Sequence, residues 1–189
     1  MNKELKVDPL AIIEKYYIKG SELYHLLVNH SEQVKDRALE IARNHPEMNL
    51  DKQFIAEAAM LHDIGIFKCD APRIFCYGTN KYIEHGYLGA NILREEGLYK
   101  HALVCERHTG VGISLDMILK NKLPLPHRDL LPLSIEEQLI CYADKFYSKT
   151  KLNETLPIHK IRTNLMHYGE HEVISFDSWN VLFEGEKNI

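Results

Sequence analysis

The chain has 189 residues, which is enough for one compact domain and slightly too few for two ordinary ones. Apolar residues make up 45% and charged residues 26% of the chain, as in average globular proteins, which excludes a disordered or fibrous class. The formal net charge of -4 provides no basic face for a long nucleic acid, so small anionic substrates fit better than polymers.

The N-terminal segment, the lengths of the apolar runs and the cysteines indicate a cytoplasmic protein. The first ten residues are charged and contain no apolar signal-peptide core, and no apolar run approaches the roughly 20 residues of a membrane span. The four cysteines contain no C-x-x-C pair, so we expect buried free thiols rather than a thiolate zinc site or a redox motif. Histidine is unusually common, with 11 residues, and some of them should carry chemistry.

Helical signals begin near the N-terminus. Asp8 is a typical N-cap residue, and Pro9 is favoured at the first position of a helix. The pair predicts a first helix, which ends at Gly20. Ser21 can cap a second helix, which apolar residues at helical spacing predict from Leu23 to Ala42, with a possible break near Asn29. His30 lies within or beside that break.

The next predicted helix should lie at the centre of the core. Asp51 can cap it, and the segment Phe54 to Leu61 is too apolar and alanine-rich for a surface helix. This helix leads directly into His62-Asp63 and ends at Ile64-Gly65. Residues Phe67 to Lys81 are rich in Cys, Pro, Gly, Thr and Asn, which predicts a long loop of the kind that often forms a lid or a binding loop.

The rest of the chain continues the all-α pattern. Further helices are predicted at about Tyr82 to Glu96, Lys100 to Arg107, Ser114 to Lys120, Ser134 to Phe146, Ile158 to Met166 and Val173 to Phe183. Ser134 and Glu137 match a capping box. No segment predicts a strand. We therefore expect an all-α bundle over residues 1–150 with an N-terminal helix, and a helical extension, 151–189, packed on the same domain.

His62-Asp63 is the strongest local signal for chemistry. An imidazole and a carboxylate at the end of an apolar helix are poor core residues unless they share a partner. A buried unpaired carboxylate is costly, and a divalent cation would neutralise it. Gly65 allows the chain to turn away close behind the pair.

The order of histidines and aspartates along the chain makes this signal more specific. His30, His62-Asp63, His85, His108 and Asp144 each lie on or beside an apolar helical segment. This order resembles the H…HD…H…H…D subgroup of the HD superfamily of metal-dependent phosphohydrolases. The strings Ala58-Ala59-Met60-Leu61-His62-Asp63-Ile64-Gly65 and Tyr142-Ala143-Asp144-Lys145 resemble its HDIG signature and its terminal Asp motif, and the likeness covers roughly residues 21–150.

The resemblance implies an HD-domain helical bundle that binds one or two divalent metals, commonly Mn, Fe, Zn, Ni or Mg. By position, the first metal would be held by His30, His62, Asp63 and Asp144. Asp63 would bridge to a second metal held by His85 and His108. Nitrogen and oxygen ligands without thiolate suit a borderline transition metal better than calcium.

The chemistry implied is hydrolysis of a phosphoester in a small phosphorylated metabolite or nucleotide by a metal-activated hydroxide. Asp63 would take part in catalysis as the bridging ligand. Lys68, Arg107 and Lys145 lie near the expected ligands in sequence, so each is a candidate for neutralising the substrate phosphate, with an ordinary solvated charge as the alternative.

Two departures from known family patterns narrow the choice of subfamily. Ile66-Phe67 stands where alarmone hydrolases have a Glu-Asp pair, and no Gly-Tyr-Pro follows His108 as in cyclic-di-GMP phosphodiesterases. The layout is nearer to small stand-alone HD proteins, including symmetrical diadenosine tetraphosphatases. Two other classes stay open: an HD-type di-iron oxygenase, because the same ligands can serve dioxygen chemistry, and a non-catalytic regulatory module.

Overall fold

A computed structural model describes residues 7–185, apart from the side chains of residues 152 and 153. The helices are α1 (Pro9–Tyr16), α2 (Glu22–Asn44), α3 (Lys52–Leu61), α4 (His85–Glu95), α5 (Tyr99–Arg107), α6 (Leu115–Lys120), α7 (Ile135–Asp144), α8 (Ile158–Met166) and α9 (Glu170–Glu184). The strands are β1 (Asp70–Ala71), β2 (Cys76–Tyr77), β3 (Tyr147–Ser148) and β4 (Lys151–Thr155). The predicted all-α class is confirmed, since within residues 7–185 the strands form only two antiparallel pairs, β1 with β2 and β3 with β4.

Two parts of the sequence predictions fall outside the described residues. They are the charged start of the chain over residues 1–6 and the last four residues, 186–189, of the expected extension. Within the described residues, no helix is both long and apolar enough to cross a bilayer.

The N-caps expected from the sequence are present. The side chains of Asp8, Ser21, Asp51 and Ser134 each accept a hydrogen bond from the amide three residues later, which satisfies one of the free N–H groups of the helix they begin. The capping box at Ser134 is only half formed. The carboxylate of Glu137 accepts from the amide of Leu133 rather than from that of Ser134.

Several predicted boundaries were wrong. α2 is continuous from Glu22 to Asn44, because Asn29 lies on its exposed side and its side chain interrupts nothing. α1 ends at Tyr16 rather than Gly20, since the next residue, Tyr17, becomes extended and donates its hydroxyl to the carbonyl of Ile64.

The two hairpins correct the expectation that the chain has no strands. β1 and β2 lie within the predicted loop, and β3 begins directly after Phe146, the residue to which α7 was expected to extend. α7 instead ends at Asp144. Strands of two residues are too short to show an alternating pattern, so their sequences carry no strand signal.

The core consists of two large clusters of apolar side chains and a smaller one. One large cluster joins α2, α3 and α7 to the last two helices and contains Tyr142, Phe176 and Phe183. The other joins α1, the first half of α2, α4 and α5, and contains Leu27, Leu61 and Leu93. α2 packs on α3 and α7, and α4 packs on α5. This packing brings the ends of α3, α5 and α7 and the start of α4 to the middle of α2.

Candidate metal centre

Six polar side chains meet where these helix ends converge. They are His30 in the middle of α2, His62 and Asp63 directly after α3, His85 at the start of α4, His108 directly after α5 and Asp144 at the end of α7. All six are buried. Their ligand atoms form two groups, each with its atoms within 4.8 Å of one another, and these groups coincide with the two ligand sets that the resemblance implied.

The first group surrounds one oxygen of Asp63. His30 Nε2 lies 3.0 Å from Asp144 Oδ1 and 3.2 Å from Asp63 Oδ2. His62 Nε2 lies 3.0 Å from Asp63 Oδ2 and 3.5 Å from Asp144 Oδ1. Two imidazoles and two carboxylates thus face one small space.

The second group surrounds the other oxygen of Asp63. Asp63 Oδ1 lies 3.3 Å from His85 Nε2 and 3.4 Å from His108 Nε2. The two Nε2 atoms are 3.0 Å apart. Asp63 therefore belongs to both groups, with one carboxylate oxygen facing each.

The backbone fixes which nitrogen of each ring faces inward. Nδ1 of His62, His85 and His108 donates to the carbonyl three residues earlier, at 2.6, 2.6 and 2.7 Å. In the neutral rings the lone pair is therefore on Nε2, the atom that faces Asp63. Two such lone pairs 3.0 Å apart, between His85 and His108, repel each other unless a cation lies between them.

The hydrogen-bonding state of these atoms supports a metal. Both carboxylate oxygens of Asp63 and Nε2 of His62 are buried and make no hydrogen bond of good geometry among the described residues, and the only cation of a lysine on Asp63 Oδ2 in this part of the chain is that of Lys149. Buried polar atoms are rarely left in this state, and a metal ion satisfies such atoms as ligands. A set of four imidazoles and two carboxylates suits Mn, Fe, Ni or Zn, so the residues present fit a divalent metal.

The charges around the centre shift its pKa values. Burial opposes the charged form of Asp63, but Lys149 and His62 outweigh it and hold the pKa of Asp63 well below its usual range. Burial likewise lowers the pKa of His62, but Asp63 and Asp144 outweigh this and raise it to about 9. For His85 burial prevails and lowers the pKa to about 3. His85 is therefore neutral at neutral pH and keeps its Nε2 lone pair for a metal.

A comparison with known families identifies this arrangement. The HD domain family matches residues 27–148, and this range includes all six ligand candidates. The chain belongs to the HD domain family. Membership supports metal-dependent hydrolysis as the general chemistry, and proteins with an HD domain bind divalent metals.

Three curated relatives contain a stretch similar to this HD chain. The uncharacterized protein MJ0778 of Methanocaldococcus jannaschii is 36% identical over 128 residues, 66% of this chain and 68% of that protein. The tRNA (cytidine(56)-2'-O)-methyltransferase of Thermoplasma volcanium is 31% identical over 152 residues, 79% of this chain and 40% of that protein. The protein of the same name from Picrophilus torridus is 32% identical over 136 residues, 71% of this chain and 35% of that protein.

The chain thus spans well under half the length of the two methyltransferase relatives. No solved structure matches it.

The three cations predicted around the HD ligands occupy different environments. Lys145 Nζ lies 2.8 Å from Asp144 Oδ2 and donates to the carbonyl of His108 at 3.2 Å, so it contacts two ligand residues. Arg107 instead forms an ion pair with Glu137 at 2.9 Å, and Lys68 lies 5.9 Å from the centre of the Phe67 ring. Neither side chain forms an ion pair or a hydrogen bond with a candidate ligand among the described residues, and their substrate roles stay predictions.

The sequence analysis missed Lys149. Its Nζ lies 2.6 Å from Asp63 Oδ2, and its side chain is only 14% exposed. Lys149 follows Asp144 by five residues, outside the HD motifs and one residue beyond the family match. The available signal was its closeness in sequence to Asp144 and to the aromatic pair Phe146-Tyr147, since a lysine can bury its stem along apolar surface.

The cysteines behave as expected. Cys69, Cys76, Cys105 and Cys141 are free and buried. Burial raises the pKa of Cys69 to about 11 and that of Cys141 to about 12, so these thiols are protonated at neutral pH and act as small apolar side chains.

Proposed function

We propose that this HD protein is a metal-dependent phosphohydrolase that cleaves a phosphoester of a small phosphorylated metabolite or nucleotide. The observation that carries the proposal is the position of Asp63, whose two oxygens face separate groups of histidine ligands. A carboxylate shared in this way is what a pair of divalent cations requires. When bound, such cations polarise a phosphoryl oxygen and activate water.

The side chains of the chain itself would prepare this chemistry. The carbonyls that accept from Nδ1 of His62, His85 and His108 hold the three rings with Nε2 inward. Lys145 holds Asp144 in place from the other side. His30, His62, Asp63 and Asp144 would bind the first metal, and Asp63, His85 and His108 the second.

The substrate would be small because the chain offers no extended basic face. The net charge is -4, and the ligands lie in a buried centre rather than on an open groove. We propose Mn, Fe, Zn, Ni or Mg as the candidate metals, one or two per chain. A cytoplasmic location stays part of the proposal.

The methyltransferase name of two relatives does not guide the proposal. The match covers 40% and 35% of the length of these two relatives, so their name describes proteins that are mostly unmatched. The part of this chain that matches the HD family carries the complete ligand cluster.

Replacement of the shared ligand tests the proposal. Asp63→Asn keeps the size of the side chain but removes its charge, so we expect metal content to fall and phosphate release from a panel of phosphomonoesters and nucleotides to drop roughly a hundredfold or more. Asp116→Asn, an exposed carboxylate on α6, is the matched control and should behave like the wild type. Metal content is measured by elemental analysis of the same samples.

Three outcomes would reject the proposal. Full metal content and full phosphate release in Asp63→Asn would remove Asp63 from the centre. Two irons per chain with oxygen uptake and no phosphate release would assign the centre to an oxygenase. A wild-type protein without metal and without hydrolysis would leave a non-catalytic module.

A further inference from the structure

A cavity of about 300 Å³ opens beside the metal centre. One wall is the turn between β1 and β2, and the other is the segment from β3 to β4. The lining residues that matter here are Arg73, Tyr82, Ser148, Lys149 and Thr150. Because a water molecule takes about 30 Å³ in the liquid, the space equals that of about ten waters and exceeds what one phosphate group fills.

Lys149 connects this cavity to the centre. Its ammonium contacts Asp63 Oδ2 at 2.6 Å, while its side chain lines the cavity. Tyr82 also lines the cavity, and its ring stacks on His85 with ring centroids 4.6 Å apart. An anion in the cavity would therefore lie next to Lys149, whose ammonium contacts the carboxylate shared by both ligand groups.

Lys145 differs from Lys149 in this respect. It contacts Asp144 and the carbonyl of His108, and it does not line the cavity. Both of its polar contacts are made inside the protein, which suits a positioning residue. Of the two lysines, Lys149 is the one that lines the cavity.

Arg73 supplies a second positive charge at the other wall. Its side chain is exposed, and no carboxylate within the described part of the chain forms an ion pair with it. No aspartate or glutamate lines the cavity among the described residues, although the whole chain carries a net charge of -4. A guanidinium on a cavity wall is well suited to bind a carboxylate or a phosphate through two parallel hydrogen bonds.

We propose that this cavity is the substrate-binding site, that Lys149 binds the phosphoryl group to be cleaved, and that Arg73 binds a second anionic group of the same substrate. This inference rests on the proposed hydrolase function and narrows its substrate to a small phosphoester with a carboxylate or a further phosphate. Ser148 and Thr150, whose hydroxyls lie 3.0 Å apart, add neutral polar contacts between the two cations.

Two non-hydrolysable probes separate the two cation sites. Methylphosphonate has one anionic group, whereas 3-phosphonopropionate adds a carboxylate at the far end. Calorimetric titration of the manganese-reconstituted protein should show 3-phosphonopropionate binding about tenfold more tightly, as expected for one added charge-assisted hydrogen-bonded pair.

The variants have distinct expected effects. Arg73→Ala should bring the affinity for 3-phosphonopropionate down to that for methylphosphonate and leave the latter unchanged. Lys149→Met should weaken both probes about tenfold or more, and Lys149→Arg should restore part of the loss. The matched controls are Lys151→Met, an exposed lysine on β4, and Arg43→Ala, an exposed arginine on α2, and both should bind like the wild type.

The results separate failure of this inference from failure of the proposed function. Equal binding of both probes by the wild type, or an Arg73→Ala variant with unchanged preference, would overturn the second anion site. A folded Lys149→Met variant with wild-type affinities would overturn the role of Lys149, even if the wild type hydrolyses phosphoesters. Tight binding of 3-phosphonopropionate with metal bound but no phosphate release would instead retain the binding site and reject the hydrolase.

Discussion

Three of the candidate histidine ligands share a local geometry. His62, His85 and His108 each lie at a helix end, and each donates from Nδ1 to the carbonyl three residues earlier. At a helix end such a carbonyl is close enough to fix the ring without an additional side chain. The orientation of these ligands thus follows from the ends of α3 and α5 and from the start of α4.

A further buried histidine lies outside the centre and gives a pH-dependent prediction. His101 is packed against the edge of Phe54, with ring centroids 5.1 Å apart, and its Nε2 lies 3.2 Å from Glu57 Oε2. Burial lowers the pKa of His101 and outweighs the opposing effect of Glu57. The unfolded chain, with a histidine pKa of about 6.5, therefore binds a proton more readily at this position than the folded chain does.

His101 should therefore destabilise the protein as the pH falls through about 6.5, because the unfolded state binds more protons there. The stability contributed by neutral His101 is present above this pH and is lost below it. The free energy of unfolding, measured with urea at pH 7.5 and pH 5.5, should fall less in His101→Gln than in the wild type. His127→Gln, an exposed histidine, is the control. An identical pH response in His101→Gln and the wild type would contradict the assignment.

The sequence allowed the six ligand candidates to be named, because an ordered series of His and Asp on apolar helices is a local pattern. Lys149 could not be found in this way. Its contact with Asp63 depends on the hairpin of β3 and β4, which brings residues 86 positions apart together. A contact of this kind is determined by tertiary structure and leaves no periodic signal.

At the scale of elements, the close approach of α4 to the turn after α3 organises the centre. A side chain at Gly65 would place its Cβ 2.2 Å from the carbonyl oxygen of His85 and 2.4 Å from the amide nitrogen of Gly89. A Cβ at Gly89 would in turn meet Cys105 Sγ at 2.6 Å. Both glycines are thus needed because two backbones touch, and the contact sets the position of His85 relative to Asp63.

Gly65→Ala should separate these two backbones. We expect a loss of about 1–3 kcal/mol in the free energy of unfolding, as for other overpacked sites, together with loss of the metal held by the His85 group. Denaturant unfolding and elemental analysis measure the two effects.

The control for this variant is Gly97→Ala. Gly97 has φ +78° and open space around it, so alanine there strains the backbone without approaching the centre. It should lower stability and leave metal content unchanged. A Gly65→Ala protein with full metal content would show that the close contact does not position His85.

The sequence predicted the long helices better than the short strands. α3 was predicted from its apolar composition and its cap at Asp51, both of which act within a few residues. The hairpin of β1 and β2 was not, because two-residue strands depend on neighbouring segments for their pairing. This hairpin also forms one wall of the proposed substrate site. The cavity could therefore not be predicted from the sequence for the same reason as the hairpin.

At the scale of the whole molecule, the C-terminal helices share the core with the helices that carry the ligands. The ring of Tyr142 stacks on Phe176, with centroids 5.3 Å apart, and Phe176 is fully buried. Tyr142 lies two residues before Asp144 on α7. The division into residues 1–150 and 151–189 stays a prediction, but these contacts support packing of the extension on the same domain.

Phe176→Ala should therefore destabilise the entire protein. We expect a loss of about 3–5 kcal/mol in the free energy of unfolding, measured by urea denaturation in a single transition. Ile174→Ala, on the exposed side of the same helix, should change it by less than about 0.5 kcal/mol. A Phe176→Ala protein as stable as the wild type would mean that α9 contributes little to the core.

The central claim, a hydrolase with two groups of metal ligands that share Asp63, is tested most directly by one titration. Metal-free protein is loaded with increasing equivalents of Mn²⁺, and phosphate release is measured at each step from a substrate identified in the panel. The account predicts no release without metal, and a rise that levels off near two equivalents per chain in the wild type. Release that is independent of added metal, or no release with both groups filled, would contradict it.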